Sequence, residues 1–249
     1  MERCAPFETI VQKIRSTFDM VSFKKLRQMV QVKGNGNLIS KTYPVSSFLR
    51  LHIAVTGLTE LIQSEEEKVE VELDENLVDY FSAVNSGSTL FVTTEGVLRT
   101  PVFTRAMVRI YLRQLDHLVV RCEGGDVICP QLIHLQSHLD IKVQTEGNTE
   151  LNFQSPQLKV MLQAEGNVTL KGRSGIVDIK NQSEGHLFAR ELIATDLTLK
   201  NQAQGNVEVF AEEKISISHS GQGYIHYYGP AQLMKIQQNG DGEVKHCKD

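Results

Sequence analysis

The side chains most able to do chemistry are scattered along the chain. His134 and His138 stand four residues apart in Leu132-Ile133-His134-Leu135-Gln136-Ser137-His138-Leu139, a spacing that on a helix would turn both rings toward one metal ion. The residues around them read as strand and turn, and no third ligand falls at a matching spacing, so the expectation is a pair of structural or surface histidines. Gly34-Asn35-Gly36-Asn37 has the outline of a phosphate-cradling loop. It lacks the third glycine of a dinucleotide fingerprint, the Lys-Ser/Thr of a P-loop and a helix after it, so Gly36 is read as a turn glycine. No Gly-x-Ser-x-Gly elbow is present, and no spacing puts a base beside a nucleophilic cysteine. The chain is therefore read as a non-enzyme, with no catalytic, cofactor-binding or metal-ligating residues assigned.

What could position any site is a repeat. VQTEGNTEL, LQAEGNVTL, NQSEGHLFA and NQAQGNVEV align on Gly147, Gly166, Gly185 and Gly205, which are 19, 19 and 20 residues apart. The register continues downstream at Gly223 and Gly242 and upstream at Gly125, and Gly36 begins the pattern far earlier. Alternating apolar runs flank each glycine, such as Leu158 to Leu162 before Gly166 and Val168-Thr169-Leu170 after it. Period two is the strand signal. The Gly-Asn or Gly-His pair is read as the turn between strands, because these residues accept positive φ cheaply. Short strand pairs at a fixed step cannot bury their apolar faces alone, so they must stack. The expected fold is all-β: a single right-handed parallel β-helix, or β-solenoid, with coils of about 19 residues rising by roughly 4.8 Å each.

Stacking would place equivalent residues above one another. Glu146, Glu165 and Glu184, followed by Gln204, Gln222 and Asp241, should then form one ladder, and Gln144, Gln163, Gln182 and Gln202 a second. Stacked amides hydrogen-bond along the axis, whereas stacked carboxylates repel and seek cations or water. Carboxylates are hard oxygen ligands, so the acidic ladder has two readings, a calcium site or a hydrated edge. The repeats lack the Gly-Gly-x-Gly-x-Asp run of calcium β-rolls. Tyr224-Ile225-His226-Tyr227-Tyr228 is a further candidate surface, since alternation sends some of these rings outward, where Tyr224, His226, Tyr227 and Tyr228 could meet a sugar or a protein. Core or end-cap packing is the other reading of the same residues.

The repeated Gly-x-Gly-Asn/Asp-Val pattern, the segment Asp74 to Phe81 followed by Asn85-Ser86-Gly87-Ser88-Thr89-Leu90, and a closing Tyr227-Tyr228-Gly229-Pro230 together resemble the head GIN domain of auto-transporter adhesins, from about Gln31 to Lys245. In that family the first glycine of each pair is usually present. Here its place holds Thr145, Ala164, Ser183 and Ala203, with glycine returning at Gly221 and Gly240, which points to a steric limit. Gly229 and Pro230 are adjacent, where the family tends to have a residue between them. The resemblance implies a bacterial envelope protein with a β-helical fold and no known catalytic site.

Composition agrees with a narrow core: aromatic residues make up 6% and there is no Trp. A formal net charge of −4 gives no basic footprint for nucleic acid. No apolar run reaches the roughly 18 residues that span a bilayer. Residues 1–30 lack the continuous hydrophobic region of a signal peptide. Ile10, Ile14, Phe18 and Val21 instead recur as on one helix face, so this stretch is read as a helical cap or extension and residues 31–249 as the solenoid domain. The resemblance implies the envelope; a genuine start without a leader would leave the chain in the cytoplasm. Cys122 and Cys129 flank a turn closely enough to pair, but free buried thiols are the plainer reading. Two functions fit: an adhesin module binding carbohydrate or protein, and a scaffold whose open β-edges assemble end to end. A polysaccharide-acting enzyme would rest on fold analogy alone.

Overall fold

A computed structural model describes residues 31–94 and 100–248; the N-terminal helical cap expected over residues 1–30 lies outside them. The described chain is a β-solenoid of about seven turns built from stacked parallel coils. One face carries the strands Thr89–Thr93, Arg50–Ala54, His117–Val120 and Leu139–Val143 in parallel succession. The neighbouring face carries Ala106–Leu112, Gly57–Gln63 and Gly125–Ile128. From there the long strands Thr149–Leu162, Val168–Asn181, Leu187–Asn201 and Val207–His219 each supply a rung to both faces.

These long strands serve two faces because their alternation changes phase midway. In Thr149–Leu162 the buried positions run 149, 151, 153, 155 and then 158, 160, 162, so two outward residues, Pro156 and Gln157, follow one another. A phase change of this kind turns a corner while keeping the apolar set inside. The core is stacked rows of branched aliphatics. Leu90, Leu51, Leu118, Ile141, Val160, Ile179, Leu199 and Ile217 form one row through eight strands, all buried. The next row inward-facing along the strand changes character partway: Leu162 is succeeded by Asn181, Asn201 and His219, all buried. There the Asn181 amide donates to Asn201 Oδ1 at 2.9 Å, and the Asn201 amide lies 3.2 Å from His219 Nδ1. Asn181 Oδ1 also accepts the Ser183 N–H, so this polar row satisfies the backbone of the turn after it.

Two features depart from a regular parallel stack. The coil built from Arg50–Ala54 and Gly57–Gln63 lies between the coil of residues 89–112 and that of 117–128, so chain order is not spatial order at this end. In addition, Lys68–Asp74 pairs antiparallel with both Leu38–Pro44 and Ala106–Leu112, and Ser82–Ser86 pairs antiparallel with Thr89–Thr93. The second hairpin is tight because Gly87 takes φ +58, the positive φ that two-residue hairpin turns require. Asp74 to Phe81, read as a helical turn or loop, contains a 3-10 helix at Glu75–Tyr80 that buries Leu77.

The repeat glycines turn for a reason other than positive φ. Only Gly36, Gly57, Gly87, Gly124, Gly172 and Gly229 have positive φ among the described residues, and none of the aligned repeat glycines is in that set apart from Gly36. A Cβ on Gly147, Gly166, Gly185, Gly205, Gly223 or Gly242 would instead press into the carbonyl of the glycine one coil earlier. Coils approach so closely along this column that only hydrogen fits. Gly125 heads the run beneath Gly57, with which it is paired in register. Gly36 stands apart in the loop before Leu38, with open space where its Cβ would be.

Candidate functional site

Each coil turns through a short segment around its glycine, and three columns of polar side chains emerge there. The glutamine column is a continuous amide ladder. Gln144 donates to Gln163 at 2.6 Å, Gln163 to Gln182 at 3.4 Å and Gln182 to Gln202 at 2.8 Å, and Arg121 Nε donates to Gln144 at its upper end. Glu146, Glu165 and Glu184 stack beside the glycines and are exposed. Their backbone N–H groups donate to the carbonyls of Cys122, Thr145 and Ala164 on the preceding coil. No three of these carboxylates bring one oxygen each within 4.8 Å of one another.

The third column follows the glycines. Asp126 Oδ1 accepts the N–H of Asn148 at 2.8 Å, Asn148 Oδ1 that of Asn167 at 3.1 Å and Asn167 Oδ1 that of His186 at 3.0 Å. His186 Nδ1 accepts the N–H of Asn206, and Asn206 Oδ1 that of Tyr224, both at 3.0 Å. From Gly125 to Gly205, the residue after each column glycine is thus an acceptor for the next coil's backbone. Its signal in the sequence is the run of short acceptors Asp, Asn, Asn, His, Asn at this one position, where a turn reading asks only for conformational freedom.

The acceptor run stops at Tyr224, a residue that is 52% exposed. On the adjoining column Phe188, Glu208 and His226 occupy successive rungs, and Phe188 is 40% exposed. The rings of His186 and Phe188 lie 5.8 Å apart, joining the two columns. The surface therefore carries two open aromatic rings with imidazole, amide and carboxylate groups between them. Tyr227 and Tyr228 do not belong to it: both are buried. Tyr227 stacks on His246 at 4.7 Å with the rings 5° from parallel, and the Arg190 guanidinium covers the Tyr228 ring at 4.1 Å. Burial, helped by the nearby Glu208 carboxylate, pushes the Tyr228 phenol above its ordinary pKa. Of the four residues in this segment that were candidates for contact, Tyr224 and His226 reach the surface.

The two histidines four apart do not converge. The carbonyl of His134 accepts the amides of Gln63 and Gln114, while the His138 ring meets His117 of the preceding coil, edge-on at 6.2 Å. Cys122 and Cys129 are free and buried, and Cys247 is free. Burial pushes the Cys129 thiol up to about 11, where it is an inert donor to the carbonyls of Gln131 and Asn152. No helix among the described residues is long and apolar enough to cross a membrane.

Comparison with solved structures finds the same fold in bacterial proteins. A putative adhesin of Bacteroides fragilis is 22% identical with a TM-score of 0.81, covering 87% of this chain and 100% of that one. A putative adhesin of Parabacteroides distasonis is 21% identical with a TM-score of 0.65, covering 86% and 100%. A protein of Parabacteroides distasonis titled a putative lipid binding protein is 18% identical at the same TM-score, covering 86% and 99%. Comparison with the curated proteins finds no match. The family described as putative auto-transporter adhesin, head GIN domain, matches residues 48–231, and the chain belongs to that family.

Proposed function

We propose that the chain is a non-catalytic adhesin module that binds carbohydrate through the face formed by His186, Phe188, Asn206, Glu208, Tyr224 and His226. Membership in an adhesin family supports a place at the cell surface or envelope. The observation that carries the reading is the pair of rings at Phe188 and Tyr224, left 40% and 52% exposed beside hydrogen-bonding groups on a rigid stack. A pyranose has an apolar C–H face that suits an aromatic ring and hydroxyl edges that suit amides and carboxylates. Large rings with few rotatable bonds make this contact at low entropic cost.

The test is a glycan-array screen of the purified chain with and without calcium, followed by titration of the best binder. Phe188→Ala and Tyr224→Ala should each weaken binding about tenfold, equivalent to about 1.4 kcal/mol, with unchanged thermal stability because both rings are open. Binding that survives both substitutions refutes this face. A calcium requirement would bring back the acidic column, and a silent array would direct the search to a protein ligand.

One observation favours a second reading, end-to-end assembly. The strand Gln232–Gln238 pairs only with Val207–His219 among the described residues, and Leu233, Met234 and Ile236 on it are 39%, 54% and 46% exposed. An open, apolar edge strand is a template for another copy. If it acts so, sedimentation will show oligomers that Met234→Lys with Ile236→Lys dissolve. A wild-type chain that stays monomeric at high concentration ends this reading.

A further inference from the structure

We propose that His117, His138 and Asp140 form a site for a divalent ion of the zinc class. His117 opens the strand His117–Val120, and Asp140 lies directly opposite it in register on the parallel strand Leu139–Val143. His117 Nδ1 is 3.6 Å from Asp140 Oδ2. His138 enters from the turn just before the second strand. One ligand atom from each residue falls within 4.8 Å of the others, and among the described residues no other three His, Cys, Asp or Glu side chains do this.

The backbone holds the three residues in place before any ion arrives. The Asp140 N–H donates to the carbonyl of Asp116 at 2.9 Å, locking the two coils together beside the site. Ser137 Oγ donates to Asp116 Oδ1 at 2.5 Å, tying the turn that carries His138 to the residue before His117. Tetrahedral ligands at about 2.0–2.1 Å from zinc lie roughly 3.3 Å from one another, so the set must draw in by about 1.5 Å at most. His138 is exposed, and a rotation of its side chain covers that distance without disturbing the core.

The donor set also selects the ion. Two imidazoles and one carboxylate are the ligands of open zinc sites, which keep a fourth position for water or an incoming group. Calcium and magnesium prefer oxygen alone. Arg50 and Lys159 flank the set in the same column, opposite His117 and Asp140 respectively. Their positive charge opposes cation binding, so the affinity should fall short of that of a closed structural zinc site. The core is complete without the ion, so the metal is not a condition of folding. The open fourth position lets a histidine or carboxylate of another molecule complete the shell.

Calorimetric titration of the full chain with zinc chloride, after chelator treatment and dialysis, tests this. The expected result is one ion per chain with a dissociation constant on the order of micromolar. His138→Ala and Asp140→Asn should each weaken it at least tenfold while leaving the apo-protein melting temperature unchanged, because neither side chain is in the core. His134→Ala, four residues before His138 and outside the cluster, should leave the affinity as it was. Absence of saturable binding overturns the proposal. So does undiminished affinity in both ligand variants, or a loss caused by His134→Ala alone.

Discussion

Gly185→Ala should destabilise the solenoid by about 3 kcal/mol or more, the upper end of what overpacking costs. Its new methyl would press on the Gly166 carbonyl and the carbonyl oxygen of Glu165. Neither can retreat, since the Glu184 N–H is bonded to the coil above at 2.9 Å and the neighbouring strands are paired along their length. Chemical denaturation checks the value. Gly36→Ala is the matched comparison, because its Cβ meets nothing within 4 Å and its cost comes only from φ +79, about 1–2 kcal/mol. Equal losses at the two positions would contradict coil contact as the reason for the repeat glycines, since Gly185 has no positive φ to explain its loss.

The second large effect is expected at Asp74, which is buried next to the loop holding Gly36. Its carboxylate accepts the Gly36 N–H at 2.8 Å, the Thr104 N–H at 2.8 Å and the Thr104 hydroxyl at 2.6 Å. Gly34 has no side chain because a Cβ there would overlap this carboxyl. Asp74→Ala removes a buried charged acceptor from donors that lie at the surface, and should cost about 2 kcal/mol in a denaturant melt. Burial pushes the Asp74 carboxyl up, but the bonds from Thr104, Gly36 and the Arg105 backbone outweigh it and hold the pKa below the ordinary 3.8. A depressed folded pKa means the contribution is fully present above 3.8 and is lost as pH falls through the lower, folded value. The wild type should therefore lose stability more steeply than Asp74→Asn in that acid range. Parallel acid limbs for the two proteins would contradict this assignment.

Much of the architecture was legible because coil length equals repeat length. The glycine steps of 19 and 20 residues carry the stacking, and the glutamine ladder follows from it. The reason for the glycines was not legible, since a residue chosen to let another coil approach and one chosen for positive φ are both written as glycine. Gly57 heads the column without any repeat motif around it, because its coil comes earlier in the chain and is inserted between later ones. Nothing local in a sequence records such an insertion.

The candidate sites show the same division. Glu146, Glu165 and Glu184 occupy one column as stacking requires, yet stacking alone separates the outer two by two coils. Tyr224 is exposed, but Tyr227 lies inward by simple alternation and Tyr228 is covered by Arg190, a residue on another coil. His138 meets His117 only because residues 117 and 140 are in register across a coil longer than those that follow it. A search by helical spacing pairs His138 with His134 instead. Contacts across coils of unequal length are written nowhere in a fixed spacing.

The most direct measurement of the adhesin face is an aromatic-side-chain NMR titration of the chain, with phenylalanine and tyrosine rings labelled, against its strongest glycan ligand. Saturable shifts confined to Phe188, Tyr224 and their immediate neighbours are the predicted result. Saturable binding that leaves both of these rings unmoved would contradict the account.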